Sequence, residues 1–91
     1  MSALAHPIPQ QDTIREALGS ISLPAGIALH SIEFRENSHG EPSWFITYAV
    51  ASNGRTDEEQ AKILVKLVDQ TLHALDVLNL PFFQYVDFLP K

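Results

Sequence analysis

The segment Trp44–Ala51 constrains the fold more strongly than any other part of this 91-residue chain. It is rich in aromatic and β-branched residues, which favour a β-strand. Side chains of a strand alternate between two faces, and here both faces are fairly apolar: Trp44, Ile46, Tyr48 and Val50 on one, Phe45, Thr47, Ala49 and Ala51 on the other. Such a strand has to lie at the centre of a sheet or be covered on both sides.

The segment before it predicts a strand that is covered on one face only. Across Ile27–Arg35, polar residues alternate with an apolar set made of His30, Ile32 and Phe34. This period of two is typical of a half-buried strand. A polar loop, Glu36–Ser43, separates the two strands, so they pair most simply as an antiparallel hairpin.

A long amphipathic helix is the clearest element and follows a turn at Asn53–Gly54. Thr56 and Glu59 have the spacing of a capping box, in which each side chain binds the backbone N–H of the other residue. The helix is predicted to run to about Leu78, with an apolar stripe formed by Ala61, Leu64, Val65, Val68, Leu72 and Leu75. A stripe this wide needs cover from another helix or a second subunit as well as from the sheet.

The complete pattern predicts one α+β domain over residues 1–91. A short helix from about Gln10 to Leu18 precedes the β-hairpin, and Phe82–Leu89 gives a third strand after the long helix. We expect the third strand to lie beside the first, in an antiparallel sheet of order 2-1-3 reached by a right-handed crossover. Residues 1–9 are expected to form a flexible lead.

Composition removes several classes of function. The chain has no cysteine, which excludes disulfides, thiolate zinc sites and cysteine nucleophiles. Eleven acidic residues against six basic ones give a net charge of −5, which repels the phosphates of nucleic acids. No apolar run approaches the roughly 20 residues of a membrane span. The N-terminus lacks the features of a signal peptide, so we expect a cytoplasmic protein that binds neither nucleic acid nor membrane.

The hairpin loop holds the most site-like group of side chains. Glu36, His39 and Glu41 are close in sequence and offer carboxylate and imidazole ligands for a metal ion. Their spacing matches neither a calcium loop nor a zinc motif, and turn geometry explains the Asn, Ser and Gly residues around them. The loop is therefore predicted to be a solvated turn without a metal.

The sequence contains no recognisable motif for catalysis or cofactor binding. It has no nucleophile elbow, no Walker A loop and no dinucleotide-binding fingerprint, so we predict no catalytic residue and no cofactor. If the third strand lies beside the first, Glu33 and Asp87 project from neighbouring strands near Arg35, where an ion pair is the usual outcome. The alternative is a metal- or ligand-binding enzyme that uses carboxylates and an imidazole, namely Glu33, Glu36, His39 and Asp87.

Surplus apolar surface is the feature that points to a function. The long helix covers one face of the sheet, and the short helix can shelter only part of the other. A large exposed apolar patch on a small domain usually marks an interface, and the residues predicted for it are Trp44, Phe45, Thr47, Tyr48, Phe83 and Tyr85. The alternative is that the short helix and the connector Ser20–Gly26 cover the second face completely.

These features predict a small acidic protein-interaction module. Its partner would be another protein or a second copy of the chain, and a homo-oligomer is expected. The acidity fits a regulatory or inhibitory accessory role, in which the module binds a basic protein.

Part of the chain resembles a group of small uncharacterised bacterial proteins, and the similar residues are Ile32–Ile46, Leu80-Pro81-Phe82 and the run Tyr85–Phe88. That group carries an acidic hairpin loop ending in Gly-Asp/Glu-Pro, an apolar strand, a charged helix and a final strand with proline and aromatic residues. It is similar to accessory proteins encoded beside toxin-type nucleases, which implies an antitoxin-like or immunity-like role. Asn37 stands where the group more often has an acid, which argues against a metal site.

Overall fold

The computed structural model describes residues 8–91 of the chain, with side chains from Gln11 onward. This part contains two helices and three strands: α1 (Ile8–Leu18), β1 (Ile27–Glu36), β2 (Pro42–Val50), α2 (Asp57–Asp76) and β3 (Phe83–Pro90). The predicted α+β class and the order of its elements are confirmed. The flexible lead predicted for residues 1–9 lies mostly outside the described residues, and its last two, Ile8 and Pro9, belong to α1.

β2 is the central strand of the sheet, and the predicted strand order was wrong. The order is β1-β2-β3, with β1 antiparallel and β3 parallel to β2, whereas the prediction placed β3 beside β1 in an antiparallel 2-1-3 sheet. The apolar pattern of β2 explains the difference, because seven of its nine residues are buried and a strand buried on both faces gains most from a neighbour on each side. β1 and β3 are largely exposed and form the two edges within residues 8–91.

A bulge in β1 moves His30 out of the position that simple alternation predicts. The register with β2 shifts between Leu29 and Ser31, and a bulge of this kind inserts one residue that reverses the alternation beyond it. The core-facing residues therefore change parity along the strand, from Ile27 and Leu29 to Ile32 and Phe34. His30 is exposed at the irregularity and does not share a face with Ile32, as the sequence suggested.

The core lies between the two helices and one face of the sheet. Its buried side chains come from every element except β3, and the largest contributions are those of Ile14, Leu18, Ile32, Trp44, Ile46, Tyr48, Leu67 and Leu75. Thr71 is the polar residue of α2 in this layer, and its hydroxyl lies 2.8 Å from the Tyr48 hydroxyl in a shared hydrogen bond. This bond stabilises the core because leaving either hydroxyl unpaired would cost about 1–3 kcal/mol.

α2 begins where the capping box predicts. The Thr56 hydroxyl accepts a hydrogen bond from the Glu59 N–H, and the Glu59 carboxylate accepts one from the Thr56 N–H. The bond from the Thr56 backbone lowers the pKa of Glu59 below its ordinary value. α2 ends at Asp76, two residues before the predicted end, and Asn79 follows with a φ of 53°, a left-handed conformation that asparagine tolerates.

Burial raises the pKa of the Tyr48 hydroxyl above its ordinary value of 10.0, and the hydrogen bond with Thr71 opposes part of this rise. The folded protein therefore holds this proton more tightly than the unfolded chain does. The resulting stability is complete below pH 10.0 and is lost as the pH rises above that value. We expect the free energy of unfolding in urea to fall less between about pH 8 and about pH 11 in Tyr48→Phe than in the unsubstituted protein.

At neutral pH, the same substitution is expected to destabilise the protein by about 1 kcal/mol, because Thr71 loses its buried partner. An equally steep alkaline loss of stability in both proteins would contradict the role assigned to the Tyr48 proton.

Candidate interaction surface

The face of the sheet that points away from the core, called the open face below, carries side chains from all three strands. Both helices pack on the opposite face, so within residues 8–91 no helix covers this one. Its main side chains are Arg35 from β1, Phe45 and Thr47 from β2, and Phe83, Tyr85, Asp87 and Leu89 from β3. In this described part of the chain, the open face is therefore sheltered by the side chains of the sheet itself.

A three-layer stack lies at the centre of the open face. The rings of Phe45 and Tyr85 are nearly parallel, with an interplanar angle of 22° and 5.1 Å between centroids. The guanidinium carbon of Arg35 lies 3.7 Å from the centroid of the Phe45 ring, and its Nε lies 3.3 Å from Glu33 Oε1. This arrangement explains why Phe45 is only 9% exposed without a helix above it. An exposed cation–π contact of this kind contributes about 0.5–1 kcal/mol.

The apolar exposure of the open face is concentrated on β3. Phe83 is 54% exposed, Leu89 43% and Tyr85 38%. All three side chains point to the open face because they lie at alternate positions of the strand. The central strand is thus sheltered by its neighbours, and the exposed apolar surface lies along one edge of the sheet.

Asn37 fixes the hairpin loop and connects it to the open face. Its Oδ1 accepts hydrogen bonds from the backbone N–H groups of His39 and Glu41, at 2.8 and 3.0 Å. Its Nδ2 donates to Glu41 Oε1 at 3.1 Å and to the Tyr85 hydroxyl at 3.0 Å. The chain reverses at Gly40, where φ is 77°, a value that favours glycine. The Asn37 side chain therefore orients Tyr85 and holds the loop closed together with the backbone hydrogen bonds from Asn37 N–H to the Glu41 carbonyl and from Gly40 N–H to the Asn37 carbonyl.

A recess with a volume of about 620 Å³ lies between this loop and the stack. Arg35 and the aromatic rings of Phe45 and Tyr85 form one part of its lining, and Asn37 and His39 form another. Aromatic walls beside fixed polar groups suit an amphipathic group, because its apolar part can be buried while its polar part keeps its hydrogen bonds.

The structure divides the six residues predicted for the interface. Phe45, Thr47, Phe83 and Tyr85 lie together on the open face. Trp44 and Tyr48 lie on the opposite face, where both are 1% exposed beneath the helices. These two residues therefore leave the candidate surface, because consecutive residues of a strand point to opposite sides of the sheet.

The carboxylates of the enzyme alternative are not brought together. Glu33 is paired with Phe45 of β2, and Asp87 with Thr47 of the same strand on its other side, so β2 separates the two acids by roughly 10 Å. The predicted proximity of Arg35 to Asp87 fails for the same reason. Among the residues that the structure describes, no group of three or more histidine, aspartate or glutamate side chains is placed to hold a metal ion. Of the loop candidates Glu36, His39 and Glu41, the last two bond to the Asn37 side chain, and Glu36 precedes Asn37 in the chain.

Two features of the surface escaped sequence analysis. The first is the role of Asn37, although an asparagine at the start of a tight loop is a known signal for side-chain-to-backbone bonding. The second is the exposure of Val65 and Leu72 on α2, at 70% and 38%. The sequence pattern placed both residues in the buried stripe. They are exposed because the apolar stripe of this helix is wider than the sheet face that it covers.

Comparison with known proteins gives no relative. No protein-family model, no curated protein and no solved structure matches the chain. The resemblance to accessory proteins of toxin-type systems therefore stays a prediction.

In the part of the chain from residue 8 onward, neither helix has the length and apolar character needed to cross a lipid bilayer.

The bonds of Asn37 lead to a test of the loop. In Asn37→Asp, an oxygen replaces the amide nitrogen beside Glu41 Oε1, so a hydrogen bond becomes a contact between two carboxylates. We expect this variant to lose about 1–2 kcal/mol of unfolding free energy at neutral pH, measured with urea.

The matched background is Glu41→Gln, which removes the second charge and supplies an amide donor. The cost of Asn37→Asp should be smaller in this background, as a double-mutant cycle would show. Equal costs in both backgrounds would mean that the Asn37–Glu41 bond does not hold the loop.

Proposed function

We propose that this chain is a protein-interaction module whose open face binds a cationic, amphipathic segment of a partner protein. The observation that carries the proposal is the row of exposed apolar side chains on β3, Phe83, Tyr85 and Leu89, beside the Phe45–Arg35 stack. A small domain seldom leaves such a row uncovered unless it serves as a contact surface.

The charges around the open face favour a basic partner. Four exposed carboxylates lie on it or at its rim: Glu33, Glu36, Glu41 and Asp87. Arg35 is the basic residue at the centre, and Glu33 balances its charge, so the other three carboxylates give the face its excess negative charge. A lysine- or arginine-rich segment gains from this field during encounter, whereas an acidic one is repelled.

The apolar contacts would supply most of the affinity, and the charges would select a basic partner over an acidic one. Tyr85 and Phe83 offer large rings at low cost in side-chain entropy, which is the composition of binding hot spots. The rim carboxylates remain hydrated and contribute mainly to the rate of association. In a cell, such a module would act as a regulatory or inhibitory accessory protein. The acidity of the chain supports this role, as does its resemblance to small bacterial proteins that are similar to accessory proteins of toxin-type systems.

The proposal can be tested with two synthetic peptides that have the same alternating leucine pattern, one with lysine and one with glutamate at the polar positions. We expect the lysine peptide to bind and its affinity to fall as salt is added, because the screening length shortens. Isothermal titration calorimetry measures both. Tyr85→Ser should weaken binding about ten-fold, since it removes an aromatic contact of about 1.4 kcal/mol.

The charge contribution has its own matched pair of variants. Asp87→Asn removes a carboxylate from the open face, and Asp12→Asn removes one from the exposed side of α1. Only the first is expected to weaken binding of the lysine peptide. Equal effects of the two variants, or equal binding of the glutamate peptide, would argue that the acidic chain attracts cations without a defined surface.

A further inference from the structure

The two edges of the sheet differ in how they are protected. At the β1 edge, the bulge at His30 interrupts the strand, and the side chain of Gln11 in α1 donates a hydrogen bond to the Ile32 carbonyl at 2.6 Å. Bulges and covering side chains are the devices by which proteins prevent an edge strand from pairing with another chain. β1 is therefore the better protected of the two edges.

β3 has few of these devices. Its eight residues pair with β2 without a register shift, and within residues 8–91 its outer side has no partner strand. Asp87 is the only charged residue in the strand, and Pro90 stands at its last position. A regular, apolar edge of this length is a template for strand addition.

The outward-facing hydrogen-bonding groups of β3 can be identified. The Lys91 N–H donates to the Val50 carbonyl of β2 at 2.9 Å, and backbone groups alternate in direction along a strand. Residues of odd number in β3 therefore bond to β2, and the N–H and C=O groups of Gln84, Val86 and Phe88 point away from the sheet. Pro90 falls in the outward set, where its missing N–H costs nothing.

An exposed apolar flank of α2 lies on the same side of the molecule. At about 100° per residue, the core-facing line is Leu67, Thr71 and Leu75, and Gln70, Ala74 and Val77 line the groove toward α1. Val65, Val68 and Leu72 fall on the other side, away from α1. Because α1 packs on β1 and α2 on β3, this flank lies above the β3 edge.

We propose that the β3 edge and the α2 flank form the interface of a symmetric homodimer, in which β3 of one chain pairs antiparallel with β3 of a second copy. The two sheets then join into one sheet of six strands, and the two α2 helices pack antiparallel above the junction. Strand pairing satisfies the outward backbone groups, and helix packing buries the apolar flank, so one contact removes both exposures.

Charge selects the register of this pairing. In a symmetric pair of β3 strands, the twofold axis passes through one residue position. The outward-facing backbone groups of β3 allow this position to be Val86 or one of its odd-numbered neighbours. Centred on Val86, the pairing places Phe83 opposite Leu89 of the second copy and Tyr85 opposite Asp87 of the second copy. Centred on Asp87, it would set two carboxylates against each other, which destabilises a strand pair. Centred on Tyr85, it would place Leu89 opposite Pro81, which lies outside β3, so fewer residues of the strand would pair. The Val86 register is therefore the one proposed.

The charges of α2 agree with an antiparallel packing. Lys62 and Asp76 border the apolar flank, near its two ends. When the helices run in opposite directions with Val65 near Leu72 of the second copy, Lys62 of each helix lies near Asp76 of the other. The two ends of the flank therefore carry opposite charges. This inference does not rest on the proposed function, because the joined sheet still presents its open face.

The mass in solution, measured by light scattering after size-exclusion chromatography, tests the dimer. We expect twice the mass of one chain, and a single-chain mass at a concentration of about 100 µM would overturn the proposal. Val65→Lys is expected to weaken the dimer about ten-fold or more, because it places a charge in the apolar flank. Val77→Lys is the matched control: both valines are 70% exposed, and Val77 faces the groove toward α1. Equal weakening by the two variants would also overturn it.

The absence of native cysteines permits a test of the register. In Val86→Cys, the new thiol lies opposite its own symmetry mate, so mild oxidation should give a covalent dimer. His30→Cys places a thiol at the exposed position of the β1 edge and should remain mostly single-chain. Cross-linking of His30→Cys but not of Val86→Cys would move the interface to the other edge and refute the assignment. If the unsubstituted protein is a dimer but does not bind the lysine peptide, only the proposed function is refuted.

Discussion

The burial of β2 on both of its faces is the constraint on which the rest of the structure depends. On one face, Trp44, Ile46 and Tyr48 are covered by the helices. On the other, Phe45 and Ala49 are almost as well buried, although no helix in residues 8–91 lies there. A strand of this kind cannot sit at an edge, so it forces β1 and β3 to flank it. The parallel position of β3, reached through α2, follows from that requirement and from the direction in which the long helix returns the chain.

On the open face, β2 is covered by side chains of the neighbouring strands. This cover determines which apolar side chains stay exposed to solvent. Tyr85 and Arg35 lie against Phe45 from its two neighbouring strands. Asn37 holds the Tyr85 hydroxyl, so the hairpin loop contributes to the same cover. The cost of the arrangement is that Tyr85 must itself face solvent, together with Phe83 and Leu89 on the same strand. The exposed apolar surface of the open face therefore lies along the β3 edge and not over the central strand.

Sequence patterns predicted the elements well because each depends on local physics. The capping box at Thr56 and the alternation in β2 are such signals, and both held. Strand order failed because it depends on the competition among whole strands for the central position, which no local pattern encodes. The apolar residues on both faces of β2 favoured the central position without requiring it, and the order 2-1-3 left that strand at an edge. The bulge at His30 was visible as a change from Ile27 and Leu29 to Ile32 and Phe34, a switch of parity that one continuous alternation cannot produce.

The candidate surface was predicted in part for the same reason. Phe45, Thr47, Phe83 and Tyr85 followed from alternation, whereas Trp44 and Tyr48 could be excluded only after the helices had chosen a face. The α2 flank was hidden because an apolar stripe in a sequence carries no mark of where the sheet beneath it ends. Among residues 8–91 the sheet ends at β3, and the part of the stripe that extends beyond it, Val65 and Leu72, is exposed above this edge strand. The outward backbone groups of β3 and the apolar side chains of the α2 flank are therefore exposed for the same reason, which is that the sheet ends beneath the helix. The β3 edge and α2 helix of a second copy would cover both, as the proposed dimer requires.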